Sequence, residues 1–228
     1  MTTELPLFPL GAVLFPGLVM PLHVFEERYR ALVRDLLARP NDADREFGVV
    51  AIRRGWEVAE STLAKAGSDV ALYEIGCTAQ VRRVTERPDG TYDLVTVGRR
   101  RFEIARVVTD VTPYLQAEVR YLPERVGPEG DAERLGPRVL AAFRAYLSGL
   151  SREASSEQLP EDPVVLSHLV AATTVLTVAD RQKLLAMPDT AARLRAELAL
   201  LHREVALLRQ VRAVPVAPSD LPVQPGPN

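Results

Sequence analysis

The chain has 228 residues, 47% apolar and 25% charged, with 28 basic residues against 30 acidic and a formal charge of −2. That apolar content supports a sizeable core, as one large domain or two small ones, and the near-neutral balance exerts no overall pull toward nucleic acid or an anionic membrane. The single cysteine, Cys77, excludes an internal disulfide and fits a reducing compartment, so a cytoplasmic location is expected.

The first stretch, "LPLFPLGAVLFPGLVMPLHVFEERYR", is apolar, but Glu4 precedes it and Pro6, Pro9, Pro16 and Pro21 interrupt every run. A secretory signal needs a basic start and an unbroken apolar core, and a spanning helix needs about 20 continuous apolar residues. Neither fits. The stretch reads instead as short strands, Leu5–Phe8, Ala12–Phe15 and Leu18–Leu22, with Pro16-Gly17 at a turn. Phe25, Tyr29, Leu32, Val33, Leu36 and Leu37 then recur at helical spacing, predicting a helix from Glu26 to Ala38 that Pro40 stops. "FGVVAI", residues 47–52, is a β-branched run typical of a buried strand, whereas Gly55–Ser68 reads as loop with a short helical turn.

Residues 71–108 predict three strands in series, turned first at Asp89-Gly90 and again at Gly98 with the arginines after it. "YLQAEVRYL", residues 114–122, supplies one more strand. At "PERVGPEGDAER" the apolar period changes from 2 to 3.6, which marks a domain boundary. Beyond it helices are predicted from Pro137 to Gly149, with Val139, Phe143, Tyr146 and Leu150 inward, and over Asp162–Leu176. Thr177 caps a short helix to Ala186, and Asp189 caps a last one over Thr190–Arg212. In that last helix Leu194, Leu198, Leu201, Val205 and Leu208 form a seam expected to pack on the other helices. The resulting division is 1–123 for the β domain, 124–212 for a helical unit and 213–228 for a proline-rich tail expected to be disordered.

The segments "LPLFPL", "LFPG", "PLHVFEERYR", "IGCTAQV", "DGTYDLVTVGRRRFEI" and "YLQAEV" stand in the order and spacing of the N-terminal domain of Lon proteases. "RQKLLAMPDTAARLRAELALLHREV" is similar to the helical segment that follows in that family. The resemblance covers residues 5–209. It implies an α+β fold, a PUA-like antiparallel β pseudo-barrel with one helix followed by a C-terminal helical bundle. It also implies that domain's role in binding unfolded or tagged protein substrates, without a cofactor and with a protease or chaperone as a further partner.

Chemistry of other kinds finds little support in the residues. Neither Lys65 nor Lys183 follows a glycine-rich loop of the kind that wraps phosphates, and the chain ends after its helical segment without the serine–lysine peptidase domain of the family. A non-enzymatic module is therefore expected. Ser167 with Lys183 makes a conceivable nucleophile and base, but Lys183 sits in the segment assigned to helix packing. Cys77, His23, His168 and His202 lack zinc-ligand spacing. Glu26 and Glu27 suit a helix start, with Glu26 placed to pair with Arg30 one turn on. Arg99-Arg100-Arg101 and Arg82-Arg83 suggest RNA contact, yet exposed aromatics for base stacking are missing and a solvated hairpin turn explains the triplet. The binding surface is placed near Leu18 and Met20 and on the outer face of the first helix at Glu27, Arg28 and Arg34. An RNA-binding PUA-like protein and a small-molecule sensor are the alternatives.

Overall fold

The computed structural model describes residues 2–53, 71–108, 112–150 and 158–213. The expectations for Gly55–Ser68 and for residues 214–228 fall outside them. Six strands make one mixed sheet: β1 (Thr3–Leu10), β2 (Val19–Val24), β3 (Glu46–Ala51), β4 (Ile75–Glu86), β5 (Tyr92–Val108) and β6 (Gln116–Tyr121). Helix α1 (Glu27–Leu37) lies between β2 and β3, and α2 (Asp131–Leu150), α3 (Pro163–Thr173), α4 (Val178–Leu185) and α5 (Thr190–Ala213) follow the sheet. The fold class is α+β. Among the described residues no helix is long and apolar enough to cross a membrane.

Strand order is β2-β5-β4-β3-β1-β6, and β6 pairs again with the far half of β5. Five strands therefore close on one another, while among the described residues β2 is hydrogen-bonded to β5 alone. One pairing departs from the antiparallel expectation: β1 runs parallel to β3, with Leu7 opposite Gly48 and Leu10 opposite Ala51. The connection through β2 and α1 is long enough to carry the chain back to the same end, which parallel pairing requires.

Three local expectations fail for identifiable reasons. Ala12–Phe15 is not a strand; the chain there passes across β5 and turns at Phe15–Leu18, where Gly17 has φ 80° and the Leu18 amide donates to the Phe15 carbonyl at 3.2 Å. Gly98 is not a turn but lies inside the 17-residue β5. A Cβ on Gly98 would stand 2.1 Å from the Phe15 carbonyl oxygen, so glycine is needed for close approach rather than for chain reversal. Pro137 does not open its helix: α2 begins at Asp131, after Gly130 at φ 74°, and carries Pro137 inside it. The Asp89-Gly90 turn forms as expected, Gly90 having φ 78° and Asp89 Oδ1 accepting from the Thr91 amide at 3.0 Å.

The apolar core has four parts. Tyr29, Leu32, Val33 and Leu36 of α1 pack on Phe8, Phe47, Val49 and Leu94, with the Phe8 and Tyr29 rings stacked at 4.0 Å. Phe25 and Leu37, included in the predicted apolar stripe, are exposed because they lie before and at the end of the helix. Leu5, Leu7, Val50, Phe102, Ala117 and Val119 fill the closed half of the sheet. Val139, Phe143 and Tyr146 of α2 meet Leu166, Leu194, Leu198 and Leu201, so the seam of α5 packs internally as expected; Leu150 is exposed. A fourth cluster joins Val13, Phe15 and Ala51 to Ala171, Leu184 and Leu185, tying the sheet to α3 and α4.

Replacing Gly98 by Ala is expected to force β5 and the Phe15 loop apart and to lower stability by about 1–3 kcal/mol, the usual cost of overpacking. Gly11→Ala, where a Cβ meets open space, serves as the control in the same chemical denaturation measurement and is expected to change little.

Candidate functional site

Strand β2 reads "VMPLHV", and its exposure alternates residue by residue: Val19, Pro21 and His23 face solvent while Met20, Leu22 and Val24 turn toward the core. Strict alternation follows from the period of a strand. Backbone direction alternates in step. The Gly98 amide donates to the Leu18 carbonyl at 2.9 Å, so counting by twos places the N–H and C=O groups of Met20, Leu22 and Val24 toward β5. Those of Val19, Pro21 and His23 point away from it. Proline belongs at such an outward position, where no ladder donor is lost.

Across the register Val19 stands opposite Val97, Pro21 opposite Val95 and His23 opposite Asp93. Val95 and Val97 are half-buried, so the outer face of this ribbon is an apolar strip. Val19 is 62% exposed, and Phe25, just past the strand, is 56% exposed with its ring stacked on His23 at 6.1 Å. The polar end of the strip is self-paired: His23 Nδ1 lies 2.8 Å from Asp93 Oδ1, and Arg87 Nε donates to Asp93 Oδ2 at 2.6 Å. These bonds, that from Arg87 first, hold the Asp93 carboxyl below the usual range.

The residues singled out from sequence lie on two elements, Leu18 and Met20 at β2 and Glu27, Arg28 and Arg34 on α1. Leu18 and Met20 are partly buried against the core, so they lie beneath the strip. On α1, Arg34 donates to Glu27 at 2.6 Å and Arg30 pairs with Glu27 at 3.1 Å; the bond from Arg34 is the main reason the Glu27 carboxyl is held low. Glu26 pairs with Arg28 at 2.5 Å rather than with Arg30, because Glu26 is the cap residue and its backbone is extended. Arg28 also lies 4.6 Å over the Tyr29 ring. Val19, Pro21, His23 and Phe25 were missed by sequence reasoning, although period-2 exposure and the place of Pro21 were both present in "VMPLHV".

A second polar constellation is buried between sheet and helices. Arg101 of β5, 2% exposed, donates to Glu124 at 3.2 Å and to the carbonyls of Leu185 and Met187 at 2.9 and 2.6 Å. Arg193 of α5, fully buried, donates to the other Glu124 oxygen at 2.9 Å, and its Nη1 lies 3.2 Å from both ring nitrogens of His168. Burial works against ionisation of Glu124, but His168, Arg193 and Arg101 overcome it and hold the carboxyl low. Burial also lowers the basicity of His168. One turn along α5, Glu197 is 1% exposed, and neither carboxylate oxygen has a hydrogen-bond partner among the described residues. Val170, Thr174, Leu176, Leu184, Leu200 and Leu201 surround it, and this desolvation raises its pKa well above the ordinary value.

The remaining candidates separate. The arginine triplet lies in a strand, not at a turn: Arg101 is buried as described, and Arg100 pairs with Glu46 at 3.1 Å while covering the Tyr121 ring at 3.7 Å. Ser167 is buried and donates to the Val164 carbonyl, whereas Lys183 is exposed and paired with Asp180, so the two do not form a nucleophile and base. Cys77 is fully buried, and burial pushes its thiol up. His23, His168 and His202 stand on separate elements.

The family model for the ATP-dependent protease La (LON) substrate-binding domain matches residues 4–203. Lon protease 2 of Syntrophobacter fumaroxidans is 29% identical over 220 residues, covering 94% of this chain and 25% of that protein. Lon protease of Escherichia coli strain K12 is 29% identical over 212 residues, covering 90% of this chain and again 25% of its own length. A Lon N-terminal domain protein from Xanthomonas campestris superposes with a TM-score of 0.60 at 26% identity, covering 86% of this chain and 98% of that one. The N-terminal domain of a Mycobacterium avium complex Lon protease shares the fold, with a TM-score of 0.63 at 18% identity. The molecule thus has the fold of a Lon N-terminal domain. The chain belongs to the LON substrate-binding domain family and spans about a quarter of the length of the curated relatives it matches.

Because burial raises the Glu197 pKa in the fold above that of the unfolded chain, its contribution to stability is complete below the unfolded pKa and is lost as pH rises toward the folded one. Stability should therefore fall above about pH 4.5 by at most about 1.4 kcal/mol per pH unit from this group. Glu197→Gln should flatten that slope and stabilise the protein at pH 8 relative to pH 5; denaturation curves at the two pH values measure it, and an unchanged slope would contradict the assignment.

Proposed function

We propose that this protein is a non-catalytic module that binds unfolded or flexible polypeptide segments and acts as an adaptor or regulator of proteolysis in the cytoplasm. The observation that carries this reading is the apolar strip on the outer face of β2 and β5, made by exposed Val19, Pro21 and Phe25 with half-buried Val95 and Val97. Exposed apolar residues grouped on one face, with charges around them, are the usual form of a protein-binding surface. Membership in a family defined by substrate binding supports it. In this reading Leu18 and Met20 set the floor of the surface, and Glu27, Arg28 and Arg34 supply its polar border. The PUA-like pseudo-barrel of residues 1–123 presents the surface, and the helical bundle of 124–212 braces the barrel through the Phe15 and Leu184 cluster.

Val19→Asp combined with Phe25→Asp is expected to weaken binding of reduced, carboxymethylated lactalbumin about tenfold, because central apolar contacts dominate such interfaces. Both residues are exposed, so the thermal midpoint should stay within about 2 °C of the parent. Fluorescence anisotropy with the labelled unfolded protein measures the first and calorimetry the second. Equal affinity for the parent and the double variant would remove the surface from consideration.

A further inference from the structure

We propose that the open edge of β2 captures its target by strand addition, so that the partner is an extended polypeptide backbone and not merely an apolar side chain. The proposal rests on the polypeptide-binding reading above and specifies how that surface works. β2 ends the strand order and, among the described residues, is bonded only to β5. Its outward groups are the N–H of Val19 and His23 and the C=O of Val19, Pro21 and His23, and among the described residues no backbone group bonds to them. An extended chain is the partner whose donors and acceptors repeat at this spacing.

The side chains agree with the backbone. A strand laid beside β2 extends the sheet, and every second side chain of it lands on the face already carrying Val19, Pro21, Val95 and Val97. That strip favours a target with apolar residues at alternate positions. Pro21 withholds one donor in the middle of the edge, so the pairing is interrupted at the centre and offers two donors rather than three. The interruption also opposes pairing with a second copy of β2, which would set one proline-broken edge against another. A flexible segment with its full set of amides is the better match.

The test is amide hydrogen exchange of the full chain, followed by NMR, with reduced, carboxymethylated lactalbumin as the unfolded probe. In the free protein the Val19 and His23 amides should exchange quickly, while Leu22 and Val24, bonded to β5, are protected. Saturating probe should slow Val19 and His23 at least tenfold and leave Leu22 and Val24 unchanged. A synthetic decapeptide of alternating valine and threonine should bind the same edge, and N-methylating its alternate amides should cost at least tenfold in affinity. If the probe binds by anisotropy while Val19 and His23 keep their free rates, strand addition is overturned and polypeptide binding survives. If no unfolded probe binds, both readings fall. Protection that grows with protein concentration in the absence of probe assigns the edge to a second copy and also overturns the proposal.

Discussion

The Glu124 carboxylate, held between Arg101 of the sheet and Arg193 of the last helix, is the contact on which the arrangement of the molecule depends. Taking two guanidinium groups out of water is costly, and an ion pair repays that cost only when geometry is good and the remaining donors are satisfied. Arg101 meets the condition by also donating to Leu185 and Met187 at the end of α4. Gln182 adds a bond from α4 to the Ile75 carbonyl at 2.7 Å. Apolar burial by Phe15, Leu184 and Leu185 supplies the driving force at this junction. Burial alone is indifferent to rotation, whereas these directional bonds permit one orientation of helices against sheet.

That orientation determines which surface stays free. The helices dock where β5 passes Gly98 and Arg101, on the side of the Phe15 loop. Strand β2 lies on the first half of β5, Tyr92–Val97, so the same strand is braced at its middle and open beside its start. α1 covers the inner face of β2 through Tyr29, Leu32 and Val33, leaving the outer face and the edge to solvent. The exposed strip is thus a product of where the core was spent.

Much of this plan was legible in the chain. Period-2 and period-3.6 patterns separated strands from helices, and Thr177 and Asp189 capped the helices expected of them, accepting from the Asp180 and Ala192 amides at 3.1 and 2.8 Å. The errors share a cause. Gly98 was assigned to chain reversal because glycine serves turns and close approach alike, and only the carbonyl of Phe15, 83 positions away in sequence, distinguishes them. Arg101 was grouped with Arg99 and Arg100 as solvated charge because its acceptors, Glu124, Leu185 and Met187, are all distant in sequence. Val19 was passed over for a different reason: Leu18 and Met20 were chosen for their apolarity, and the parity of positions in "VMPLHV" turns Met20 inward and Val19 outward. Parity was available once Pro21 was recognised as an edge residue, since its missing donor must point away from the neighbouring strand.

An open, apolar strand edge is ordinarily an aggregation hazard, and natural sheets suppress it with proline, charge or a cover. Here Pro21 and the His23–Asp93–Arg87 group are suppressors of that kind, placed at the centre and at one end of β2. Yet Val19 and Phe25 remain exposed on the same element. Full suppression needs no exposed apolar side chain, and a permanent interface needs no broken ladder. The combination fits an edge meant to pair weakly and reversibly, because main-chain bonds to exposed partners contribute only about 0.5–1.5 kcal/mol each and Pro21 removes one of them. In the proposed strand-addition reading, that modest affinity is what lets a flexible chain be released after it is held.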